Sequence, residues 1–214
     1  MIRIRISHVL ATSIVLAWVV SALQLGQPIL AGQKSSALLA LGAADSSVWR
    51  SHQWWRLLSS QWLHVKFLHM LFNALGVLVA GVYVERRTHW AFAAAVYLVG
   101  GVLGQIASVY LDPSQVASGA SQAMLALCAT AMALSARREG RDAYGWAVLI
   151  IIMAQLGLDL KAAHTVKIGH TVGLVLGLAA GFAAMSLGLL RAAKARVDTA
   201  IPAAPWGEKA AERP

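Results

Sequence analysis

The chain holds 214 residues, 58% of them hydrophobic and 13% charged, with a mean hydropathy of +0.64. Soluble globular domains carry about 25% charged residues, so the composition excludes an ordinary soluble domain, and the surplus apolar surface must face a lipid bilayer. The net charge of +9 gathers at the ends of apolar blocks, where it acts as a topology signal, and this argues against a nucleic-acid partner.

The first apolar block covers 8–27 and follows Arg3 and Arg5. Its run from Val9 to Leu25 is long for the core of a secretory signal, and no clean small-x-small cleavage site follows it, so it reads as a retained signal anchor. The segment 28–65 is the only long connection, and it carries Trp49, Trp54, Trp55 and Trp62, a set suited to the lipid–water interface. Further spans are predicted over 66–84, 90–111, 119–136, 143–160 and 168–190, six in all, each near the ~20 residues that cross a bilayer core. The flanks on the side of both termini hold twelve cationic residues and the other side six, which predicts cytoplasmic termini. The fold class is therefore an all-α, polytopic bundle over 1–198, and the proline- and alanine-rich stretch 199–214 reads as a disordered cytoplasmic tail. Cys128, the single cysteine, lies inside the fourth block, which rules out an internal disulfide or a cysteine zinc site.

Polar side chains inside spans are costly and point to function. His69 and Asn73 are four residues apart and share one helical face. Ser121 opens the fourth span, and His170 begins a run in which Gly169, Gly173, Gly177 and Gly181 recur every four residues. Such a small-residue stripe lets another backbone approach closely; the fourth span, with Gly119, Ala120, Ala123 and Ala126, is the expected partner, which would set His170 against Ser121. At ~1.5 Å rise per residue, Ser121 and His69 each stand ~24 Å above the cytoplasmic boundary. The fourth span would then start within the bilayer, after a buried or wet loop over 112–118. Histidine can take the proton that makes a serine nucleophilic. The Ser121 backbone N–H at a helix N-terminus, with His69 and Asn73, could receive an oxyanion. Asp112 and Asp159 fall at span boundaries, so the arrangement reads as a dyad without an acidic partner. The seven histidines contain no HExxH, and the five-residue step from His64 to His69 does not share a helical face, so no metal is expected.

Trp55-Arg56, His64-x4-His69-x3-Asn73, Gly81-x3-Glu85, Gly119-x-Ser121 and Gly169-His170-x2-Gly173-x3-Gly177 resemble, in order and spacing, the rhomboid intramembrane serine proteases over about 54–182. The resemblance implies a six-helix fold in the bacterial inner membrane. It also implies a Ser–His dyad that cleaves single-span or membrane-anchored proteins without a cofactor. It assigns Ser121 as nucleophile, His170 as general base, and His69 and Asn73 as oxyanion side chains. Trp55, Arg56, His64, Glu85, Gly119, Gly173 and Gly177 take structural parts, with Glu85 expected to cap or pair with a loop group. Gln122 and Leu125 depart from the family's usual glycine and aromatic at those places. The run Gln53 to Leu58 is similar to that of rhombosortases, a bacterial branch that processes carboxy-terminal sorting tails. A client-binding pseudoprotease of the same fold and a small transporter are the alternative readings.

Overall fold

The computed structural model describes residues 4–136, 143–163 and 165–190. The expected tail and the cationic flanks at 137–141 and 191–196 lie outside the described residues. Among the described residues, five helices are long and apolar enough to span: α1 (Ile6–Gln24), α5 (Phe67–Arg87), α6 (Trp90–Leu111), α8 (Ala143–Ala163) and α9 (Ile168–Ser186). Between α1 and α5 the long connection folds into α2 (Ser35–Ala40), α3 (Val48–Ser51), α4 (Arg56–Ser59) and a 3₁₀ turn at Ser60–Trp62. The remaining helix, α7 (Ser121–Ser135), is short, as expected for a span that begins within the bilayer.

The bundle is built around α7. All of its residues except Met132 are buried, because α5, α6, α8 and α9 surround it. A helix of small and apolar residues can fill that place only if its neighbours come close, and the glycines let them. A Cβ on Gly173 would strike the Gln122 backbone and one on Gly177 the Ala126 backbone, while Gly181 faces Thr130 and Ala133. Gly169 turns partly the other way, toward Gly104 and Ser108 of α6. Thr130 Oγ1 donates across the seam to Gly177 O at 2.9 Å. The outer helices carry apolar side chains outward, among them Leu16 and Val20 of α1, Ile150 and Met153 of α8, and Val175 and Phe182 of α9. Exposed apolar surface on every outer helix suits lipid and not water, and the chain is a multi-pass membrane protein. Rings gather at both ends of the bundle: Trp49, Trp54 and Tyr110 stack edge to face at one end, while Trp90 and Trp146 stand exposed at the other. Two such belts match the two faces of a bilayer.

Glu85, near the end of α5, accepts from the backbone N–H groups of Ser7 (2.8 Å) and Ile6 (3.3 Å) and from the Ser7 hydroxyl. It therefore caps the first turn of α1, a helix N-terminus and not a loop group, where a carboxylate meets otherwise unpaired N–H donors and the positive end of the helix dipole.

Candidate active site

The approach to α7 is held by the long connection. Ala44 and Ala117 exchange antiparallel backbone bonds of 3.1 and 2.7 Å, and Gly119 N–H donates to Ser60 O at 2.9 Å. These bonds supply the partners that backbone groups need at membrane depth. The connection is itself pinned by Arg56, whose guanidinium donates to Leu39 O (2.5 Å) and Ala43 O (3.0 Å) and lies 4.8 Å from the Trp55 ring centroid. Gly119 has φ +118°, a backbone state that a side chain disfavours. His64 and His69 stand 3.7 Å from where its Cβ would be, so conformation and not space selects glycine.

His64 closes this corner. It is fully buried, with Nδ1 3.2 Å from Trp62 O, Nε2 3.0 Å from Asn73 Nδ2 and 3.2 Å from Ala120 N–H. Two donors at Nε2 and a carbonyl at Nδ1 specify the neutral ring with its proton on Nδ1. Burial first, then the neighbouring His69, pushes its pKa from 6.5 down to about 3, against a smaller upward pull from the Trp62 carbonyl. The residue expected only to support the long connection thus ties that connection, α5 and the residue before Ser121 together. Asn73 gives one of its two amide hydrogens to His64, and its Oδ1 is buried with no partner among the described residues. The half-buried His69 ring lies 5.9 Å from that of His64, on the same side of Gly119.

Ser121 is the first helical residue of α7, with Ala120 in the N-cap position. Its Oγ lies 2.6 Å from His170 Nε2 and 3.2 Å from Gln122 Oε1. Both Ser121 and His170 are buried. The glycine contacts bring them together as the spacing predicts, and α9, ending at Ser186, places His170 sixteen residues (186 − 170) above its lower end.

The reading of an unassisted dyad is corrected by Asp159. Its Oδ2 lies 2.5 Å from His170 Nδ1, so an acidic side chain does reach the imidazole. An acceptor on Nδ1 keeps the proton there and leaves the Nε2 lone pair for the serine hydroxyl. Asp159 sits near the end of α8, eleven residues before His170, and reaches across the short connection. The Gln122 that stands where the family favours glycine does not block the pair. Its side chain lies over Gly104, and its Nε2 donates at 3.3 Å to Gln105 Oε1, while Gln105 Nε2 donates at 3.3 Å to Gly119 O. Gln105, within α6, was no sequence candidate, although a buried amide inside a 22-residue apolar helix is the kind of residue that flags a site.

The rhomboid domain family matches residues 51–187. The chain is 34% identical over 160 residues to the rhomboid protease GluP of Bacillus subtilis, covering 74% of this chain and 31% of that protein. It is 35% identical over 97 residues to RHOMBOID-like protein 2 of Arabidopsis thaliana, 45% of this chain and 31% of that one. It is 28% identical over 153 residues to Rhomboid-like protease 2 of Toxoplasma gondii, 67% of this chain and 52% of that one. The chain spans about a third to a half of the length of these relatives.

Proposed function

This chain belongs to the rhomboid family, and we propose that it is an intramembrane serine endopeptidase acting on single-span or membrane-anchored proteins. The observation that carries the reading is the 2.6 Å separation of Ser121 Oγ from His170 Nε2, with the Nδ1 side occupied by a carboxylate. As Ser121 Oγ bonds to the scissile carbonyl carbon, its proton passes to Nε2 and the carbonyl π pair moves to oxygen. When the C–N bond breaks, the same proton leaves with the new amine, and the acyl group stays on Ser121. Water then attacks that ester while His170 takes one of its protons, and the proton returns to Ser121 Oγ as the acyl–oxygen bond breaks, so that the acid product departs and the free hydroxyl is restored.

The oxyanion would lie beside Gly119 and the start of α7, where the Ser121 N–H, the second amide hydrogen of Asn73 and the ring of His69 supply donors. The Ser121 side stands on the non-cytoplasmic half, both termini are cytoplasmic, and the membrane domain extends over 1–198 in a bacterial inner membrane. Burial of both partners requires a substrate segment to part neighbouring helices before reaching the serine.

Cleavage of a single-span reporter by purified protein in detergent tests the proposal, with fluorophosphonate labelling of the serine beside it. Ser121→Ala and His170→Ala should abolish both signals. Asn73→Ala and His69→Ala should each lower the rate by about 10²-fold or more, the usual loss of one oxyanion donor. Cleavage that persists at the wild-type rate in Ser121→Ala would overturn the proposal.

A further inference from the structure

We propose that Asp159 is a positioning residue that sets the tautomer of His170, so that this site works as a Ser–His–Asp triad; the inference rests on the reading of Ser121 and His170 given above. Three donors converge on one buried carboxylate: His170 Nδ1 at 2.5 Å and the Lys167 backbone N–H at 3.3 Å on Oδ2, and Gln155 Nε2 at 3.3 Å on Oδ1. The Lys167 contact puts the negative charge at the N-terminus of the 19-residue α9, where the helix dipole favours an anion. Gln155 and Asp159 are four apart on α8, so one helical face presents both, and the amide orients the carboxylate before it meets the ring.

The placement is not a by-product of packing between the two helices. The body of α9 packs on α7 and α6, and that of α8 on α7 and α5. Asp159 reaches the imidazole across a short connection, and this contact joins the ends of two helices whose lengths lie against other partners. For catalysis the consequence is specific. A neutral imidazole has one proton for two nitrogens, and only the form with Nδ1–H can accept the serine proton at Nε2. Asp159 selects that form. When Nε2 takes the serine proton, the imidazolium faces a fixed carboxylate inside a water-poor site, and Asp159 remains ionised while it does so. His170 supplies the proton to the leaving amine, so Asp159 gains and loses nothing over the cycle.

The test is Asp159→Asn in the full chain, assayed beside wild type and Ser121→Ala for reporter cleavage and fluorophosphonate labelling. An asparagine can donate to Nδ1 and force the proton onto Nε2. The expected result is a fall in kcat of about 10²-fold or more, as follows from a wrong tautomer in a serine triad. KM should stay within about threefold and labelling should slow in parallel, with the thermal midpoint near that of wild type. Gln155→Ala, which keeps the carboxylate, should lose far less activity. An unchanged kcat in Asp159→Asn would overturn the inference. So would a loss of activity accompanied by a comparable loss of thermal stability and repeated in Gln155→Ala, because that pattern marks a helix tie alone. If Asp159→Asn does not fold, ¹⁵N shifts of the His170 ring in wild type decide: protonation at Nδ1 upholds the inference, and protonation at Nε2 overturns it. Inactive Ser121→Ala beside fully active Asp159→Asn sinks only this inference, whereas active Ser121→Ala sinks the proposed function as well.

Discussion

His64 shows how one neutral ring can make stability depend on pH. Its two Nε2 donors, Asn73 and Ala120 N–H, cannot both be kept if that nitrogen is protonated. An unfolded chain takes up a proton at this histidine below pH 6.5, whereas the folded one does so only near pH 3. Within that window the unfolded state binds more protons, so stability falls as pH drops. Thermal midpoints in detergent should therefore decline steadily from about pH 6.5 downward, and His64→Gln, which can still accept at Oε1, should flatten the decline. A slope unchanged by the substitution would assign it to other groups. The sequence pointed to His64 only as support for the long connection, because nothing in a five-residue step from His69 reveals that its ring meets the backbone before Ser121. Asp159 escaped for a related reason. Position near a span boundary says how deep a residue lies, but not toward which neighbour it points; the clue available was the polar pair Gln155 and Asp159 on one face of an apolar helix.

At the scale of elements, the seam between α7 and α9 does the positioning, and it was legible in advance from glycines four residues apart. Gly177→Ala places a methyl group where the Ala126 carbonyl stands. Overpacking of this kind costs about 1–3 kcal/mol, and it should also open the gap between Ser121 and His170. The expected outcome is a lowered thermal midpoint together with a fall in kcat; a midpoint and rate equal to wild type would show that the seam yields. The spans themselves were readable from apolar length, and the short fourth helix from depth arithmetic. The small helices α2, α3 and α4 were not, because a loop shaped by bonds to distant backbone, such as those from Arg56 to Leu39 and Ala43, leaves no periodic pattern.

For the molecule as a whole, the orientation proposed from the cationic flanks can be checked with single cysteines, since Cys128 is buried and gives a silent background. An impermeant maleimide applied to intact cells should label Ser36→Cys, on the long connection, and should reach His89→Cys, at the opposite end, only after permeabilisation. The reverse pattern would invert the bundle. One feature of its architecture bears on how the chain is made. The serine opens α7, a helix too short to cross a bilayer on its own, while the imidazole arrives only with α9, the last helix among the described residues. During synthesis the ribosome therefore releases the serine long before its proton acceptor. If Ser121 and His170 act as proposed, a nascent chain stays inactive until α9 has entered the membrane and slid into the glycine seam, and a translation product cut short ahead of α9 should show no cleavage and no serine labelling.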